Sequence, residues 1–180
     1  MLSKGIRATV GAVGLIALLV LGIVTTATAG TTSGGTIHIY SNQANDTNGG
    51  ATGPIVITGA IGDYGTATSI DENGTVNANG NYEKIVLKKG TFEINSVSFN
   101  KATNKVQPTI NTSNCSISGT ATGPVTLFDG NGAYAGIKGT VNVVLTFAGI
   151  LPTLKNGKCN GNAQPVGIYG TITGTGTVSF

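Results

Sequence analysis

The chain has no tryptophan, a single histidine, a single methionine and two cysteines, and only 9% of its 180 residues are charged. Each shortage excludes something. One histidine and two cysteines cannot supply a conventional four-ligand zinc site of imidazole and thiolate, so neither a metal nor a cofactor is expected. So few charges, beside 29 glycines and 27 threonines, exclude a coiled coil or a long helical bundle, which draw on Ala, Glu, Lys and Leu. A formal net charge of +3 is too small for a protein held to nucleic acid by counterion release, so no nucleic-acid partner is expected. Arg7 is the only arginine, which leaves the rest of the chain no planar fork to grip a phosphate or carboxylate bidentately.

The first segment carries its own message. Lys4 and Arg7 precede an apolar stretch from Ala8 to Val24, and then comes Thr25-Thr26-Ala27-Thr28-Ala29. A basic start, an apolar middle and an Ala-x-Ala box form the layout of a secretory signal peptide, here residues 1–29. The apolar stretch is also close to a minimal membrane span, so an uncleaved anchor is the alternative. Cleavage after Ala29 would remove the only arginine and leave eight lysines against seven acids. Such a chain has no strong field to steer it to nucleic acid or to an anionic bilayer. The expectation is a secreted, extracellular or envelope-held protein that meets the membrane only transiently, through its signal peptide.

Cys115 and Cys159 are the only thiols. In an oxidising compartment an even count reads as one disulfide, worth roughly 3–4 kcal/mol on the chain-entropy model. Their separation lacks the Cys-x-x-Cys spacing of redox and metal pairs. The chain beyond residue 29 suits one domain with its own core.

No stretch shows a convincing apolar period of 3.6. Alternation recurs instead, punctuated by Gly, Asn-Gly and Gly-Pro, and predicts strands joined by tight turns. Residues 30–52 read as a loose N-terminal segment containing one peripheral strand, Thr36–Tyr40. Residues 53–180 read as the β-domain, with strands over Pro54–Ile61, Tyr64–Ile70, Tyr82–Lys88, Thr91–Phe99, Cys115–Ala121, Pro124–Phe128, Ala133–Ile137, Gly139–Phe147 and Gly167–Phe180. Asp71-Glu72-Asn73-Gly74 reads as a hairpin turn, and Gly123-Pro124 as a break between two strands. Eight or nine strands at short spacing point to a barrel or a sandwich.

Parity assigns the faces. Val141, Val143, Leu145 and Phe147 share one face. In the last strand Ile168, Ile172, Val178 and Phe180 face inward with Gly170, Gly174 and Gly176 between them. Glycines on an inner face let a strand coil sharply, which favours an all-β, eight-stranded antiparallel closed barrel over the alternative β-sandwich. The opposite face reads Tyr169, Thr171, Thr173, Thr175, Thr177, Ser179. With no second strand repeating that hydroxyl row, a solvated face is the expectation.

The most distinctive stretch is Gly130-Asn131-Gly132-Ala133-Tyr134-Ala135-Gly136-Ile137-Lys138-Gly139-Thr140. A Gly-x-Gly turn leads to an aromatic, then Ala-Gly, then a glycine opening a Val-rich strand. This resembles the signature of the allene oxide cyclase and dirigent barrels. More closely, it is similar to a family of small secreted actinobacterial proteins with allene-oxide-cyclase-like barrels. Gly53–Gly65, Leu87–Phe92 and Gly174–Val178 also resemble that family, so the likeness runs from about residue 53 to 180. It implies export and an eight-stranded barrel of lipocalin-like shape. The plant enzymes hold their site inside the barrel, but no motif outside the glycine turn matches, so no catalytic residue carries over. Gly130, Gly132, Tyr134, Gly136 and Gly139 have a sufficient reading as a turn motif.

Conventional catalytic sets are missing. His38 falls on the polar face of its strand with Thr36 and Tyr40, where solvation explains it. Gly-x-Gly here opens a strand, which removes the helix N-terminus that a P-loop or Rossmann site requires. Asp46, Asp63, Asp71, Glu72 and Asp129 lie in or beside turns, where solvation is expected, and Glu93 lies opposite Phe92 and Ile94 and is expected to be exposed. Glu83 alone shares a face with Ile85 and Leu87, at the start of its strand. That makes it the candidate ligand-binding residue, at a barrel mouth. The leading expectation is a secreted, non-catalytic barrel binding a small apolar molecule. The alternatives are a cyclase- or isomerase-type enzyme with its site inside the barrel, and a structural or interaction protein of the cell envelope or surface. Nothing in the sequence specifies an oligomeric state.

Overall fold

Strand-favouring Ile, Val and Thr alternate with polar residues through most of the chain, and the backbone keeps that period. The computed structural model describes residues 34–44 and 52–180. The expected signal peptide, its cleavage point after Ala29, and Asp46 lie outside the described residues. The elements are β1 (Gly35–Ala44), β2 (Thr52–Gly59), β3 (Asp63–Ile70), β4 (Tyr82–Leu87), β5 (Gly90–Asn95), α1 (Val97–Thr103), β6 (Thr109–Asn111), β7 (Ser116–Gly132), β8 (Lys138–Ile150) and β9 (Gly167–Ser179). Among them no helix is long and apolar enough to cross a membrane.

The sheet runs β5-β4-β3-β2-β1-β9-β8-β7, and β7 pairs back onto β5. Every pairing is antiparallel. Eight strands therefore close into a barrel, which excludes the sandwich. Three-residue β6 adds to β7 below the point where β5 leaves it. Inward side chains alternate with outward ones on each stave, and Ile37, Ile57, Ile85, Phe92, Ile137 and Val141 are almost wholly buried.

Several local expectations are corrected. β1 is not peripheral: it lies between β2 and β9, with Ile37 and Ile39 in the core. The segment Thr91–Phe99 is not one strand. It turns at Ser96 into α1, whose Phe99 is buried. Gly123-Pro124 does not break a strand, because β7 runs unbroken through it. Between Ser118 and Thr126 β7 pairs only with β8, so a proline there sits on an open side. A Cβ at Gly123 would lie 3.2 Å from the Phe99 Cα, so this glycine seats the helix against β7. Ala133–Ile137 is a tight turn rather than a strand.

The inner-face glycines of β9 have a measurable reason. A Cβ at Gly174 would come within 2.9 Å of both Val141 and Val143 side chains. β9 and β8 can therefore coil tightly together only without it. The disulfide Cys115–Cys159 forms, with Cα atoms 5.2 Å apart. It pins the β8–β9 connection to the foot of β7 in a small cluster with Ile117 and Leu151.

The hydroxyl row on β9 does not stand alone, contrary to expectation. Thr177 pairs across to Thr140 on β8 and Thr36 on β1, and Thr140 pairs on to Thr126 on β7. Further along, Thr171 faces Thr146, which faces Thr120. Thr36, Thr120, Thr126, Thr140, Thr146, Thr171 and Thr177 are all exposed. Parity within one strand could not show this, because strand register decides which rows line up.

Candidate functional site

The two ends of the barrel are built differently. At one end the chain between β7 and β8 folds inward. Asp129 takes a positive φ of 52°, and Asp129 and Gly130 on β7 lie opposite Phe92 alone on β5. This bulge bends the strand toward the barrel axis. A Cβ at Gly130 would lie 1.7 Å from the Tyr134 carbonyl oxygen, so only glycine lets the turn fold back on itself. Gly136 then needs a φ of 82°, which glycine adopts freely. The result places Tyr134 inside, 2% exposed. Its ring lies edge-on to Phe92 at 5.6 Å and tilted against Phe180 at 6.3 Å.

The Tyr134 hydroxyl donates to Asp63 Oδ2. That carboxylate also accepts the Lys89 backbone N–H at 2.9 Å and the Tyr64 N–H at 2.8 Å. Burial pushes the Asp63 carboxyl up, but these three donors and the Lys89 charge outweigh it and hold the group below its usual value. Burial and the neighbouring carboxylate push the Tyr134 phenol well above its usual range. A satisfied carboxylate with a neutral phenol closes this end as a plug.

The other end is hollow. A cavity of about 420 Å³ enters between the staves, beneath α1 and the connection from β3 to β4. Its depth is apolar, with Ile55, Ile85, Ile94, Val143, Leu145 and Ile172 in the walls. Its rim is polar, with Asn79, Asn81, Asn100 and Asn104. α1 is fastened to that rim: Asn100 Nδ2 donates to the Gly80 carbonyl and to Asn81 Oδ1, both at 3.1 Å. Asn95 Oδ1 accepts the Val97 N–H at 3.0 Å and starts the helix in place of the Ser96 side chain.

The structure places Glu83 in the cavity wall, where its parity with Ile85 puts it. Ser69 Oγ donates to Glu83 Oε1 at 2.7 Å. Burial raises the Glu83 carboxyl above its ordinary value, and the single serine bond only partly offsets this. Among the described residues no lysine, arginine or histidine lines the cavity.

The remaining candidates lie elsewhere. His38 is on the outer face, its Nδ1 3.1 Å from Thr175 Oγ1. Glu93 is half-buried rather than fully exposed, while Asp129 sits at the bulge. Asp71 caps its own turn through the Asn73 and Thr75 N–H groups. Asp63 corrects the expectation of a solvated turn residue, and Tyr134 exceeds its reading as part of a turn. Ser69 and α1 were also missed. Ser69 shares parity with Asp63 and Ala67 on β3, a signal that could have marked it as inward. Nothing local signals the Asp63–Tyr134 bond, which joins residues 71 apart. Among the described residues no three His, Cys, Asp or Glu side chains gather as metal ligands would.

These features define a class: a small, disulfide-linked, closed antiparallel barrel, plugged at one end and hollow at the other. Comparison with protein-family models, with curated proteins and with solved structures returns no match.

Proposed function

We propose that this chain is an exported, non-catalytic barrel that holds a small, largely apolar molecule in its open-end cavity. The observation that carries the reading is the hollow itself. An eight-stranded barrel can be filled by its own side chains, and the plugged half is. The other half leaves about 420 Å³, within the roughly 300–1,000 Å³ range of ligand sites. An apolar depth beneath a polar rim fits the kind of lining such sites have. The leader-like first 29 residues and the disulfide support export. The resemblance of residues 53–180 to small secreted allene-oxide-cyclase-like barrels supports the same reading. Among the described residues Glu83 is the only titratable group in the wall, which offers a cyclase or isomerase no second acid–base partner there.

The test is binding of the neutral dye N-phenylnaphthylamine. The wild-type protein should brighten it, and Ala67→Phe, which puts a ring into the cavity, should not, with circular dichroism unchanged. A dye left dark by the wild type would overturn the reading.

One observation favours a second role at the outer wall. The threonine rows of β7, β8, β9 and β1 form an uncharged, outward-facing hydroxyl array, suited to contact with an ordered polar surface of the cell envelope. Retention on insoluble cell-wall polysaccharide should fall with Thr140→Lys plus Thr173→Lys; retention unchanged by both substitutions would remove this role.

A further inference from the structure

The cavity carries one group that a purely apolar ligand would not explain. Glu83 projects among Ile85, Ile94 and Leu145, and its only hydrogen-bond partner among the described residues is Ser69, on Oε1. Oε2 accepts nothing from the described residues. Every buried side-chain polar atom among the described residues has a partner, so this oxygen is left facing the hollow rather than sealed in the wall. The nearby serines do not serve it. Ser41 Oγ donates to the Pro54 carbonyl at 2.8 Å, and Ser69 is committed to Oε1.

An unpaired carboxyl in a semi-apolar site costs stability unless something brings it a proton or a positive charge. The described residues of the cavity supply no cation of their own. A fatty acid or other anion would meet a carboxylate with nothing to neutralise either group. A neutral hydrocarbon would leave Oε2 stripped of water and unpaired. A ligand that brings its own cationic N–H donor satisfies the site, because an ammonium–carboxylate hydrogen bond is among the stronger kinds. Burial already withdraws part of the water around Glu83 in the folded state, so the ligand completes only the remainder of that desolvation on binding.

We propose that the open-end cavity selects a lipophilic amine, its ammonium hydrogen-bonded to Glu83 Oε2 and its hydrocarbon part against Ile85, Val143 and Leu145. This rests on the reading of the cavity as a ligand site and adds the ligand's chemical class. The raised proton affinity of Glu83 in the empty cavity accords with a site waiting for a positive charge.

Displacement of N-phenylnaphthylamine from the purified protein near neutral pH tests this with three probes of equal chain length: decylamine, decanol and decanoate. Decylamine should displace the dye at about tenfold lower concentration than decanol, the equivalent of one charge-assisted hydrogen bond in a partly wet site. Decanoate should be the weakest. Glu83→Gln keeps the shape and removes the charge, so it should still bind dye and decanol while the amine preference collapses. Equal potency of decylamine and decanol on the wild type, or an amine preference that survives Glu83→Gln, overturns the amine assignment and leaves the binding reading standing. A wild-type protein that binds no dye overturns both.

Discussion

Asp63 and Glu83 both point into the barrel, and each accepts a hydrogen bond from a side-chain hydroxyl, but they lie at opposite ends and meet opposite fates. Asp63 has three donors and a nearby lysine, and its carboxyl is held low. Among the described residues Glu83 has one donor and no cation, and its carboxyl is raised. The difference is a matter of how many donors reach a carboxyl once water is withdrawn. At the plugged end the bulged β7 and its glycine turn carry Tyr134 across the barrel to complete the set. At the hollow end α1 and the β3–β4 connection cover the rim with asparagine amides and the Thr103 hydroxyl, none of them bonded to Glu83. A structural carboxylate is one whose valences the fold satisfies; a binding carboxylate has one left open.

Substitutions at the two ends should therefore differ in size and sign. The largest effect is expected from Tyr134→Ala. Removing the aromatic centre of the plug should cost about 3–5 kcal/mol, the usual loss for a large buried ring, measured by urea denaturation. A loss under about 1 kcal/mol, the scale of an ordinary surface change, would mean that the plug is not what closes this end.

Asp63→Asn is expected to cost about 1–3 kcal/mol at neutral pH, since it weakens a charge-assisted set and offers a donor where three donors already point. Its pH dependence has a definite sign. Asp63 is held below its unfolded value of 3.8, so its contribution is present above that pH and is lost as pH falls through the folded value. The gap between wild type and Asp63→Asn should close on acidification. A gap that widens would contradict the assignment.

Glu83→Gln should have the smallest effect and the opposite sign. Glu83 is raised above its unfolded value of 4.5. Its protonated form is favoured by folding, so the wild type is most stable below that pH and loses stability as pH rises through the folded value. The variant should melt slightly higher than wild type at neutral pH and equal to it in acid. A lower melting temperature at neutral pH would place Glu83 with the structural carboxylates, and the contrast between the ends would disappear.

Much of this architecture is legible in the residues, and the gaps have physical causes. Alternation finds the staves because inward positions recur every second residue, and the same parity places Glu83 beside Ile85. The cysteine pair admits one connectivity. α1 escapes because Val97 and Phe99 are two apart, a spacing that extends the strand pattern, and because seven residues are too few to show a helical period. Gly123-Pro124 misleads because its role is to seat a helix on an open stretch of strand. The threonine array and the Asp63–Tyr134 bond depend on register and on closure, which join residues far apart in the chain.

The most direct test of a barrel plugged at one end and receptive at the other is a methyl-resolved nuclear magnetic resonance titration with decanol. Shifts at Ala67, Val143, Leu145 and Ile172, with Ile57 and Ile137 unmoved, are the predicted result; shifts centred on Ile57 and Ile137, or none anywhere, would contradict it.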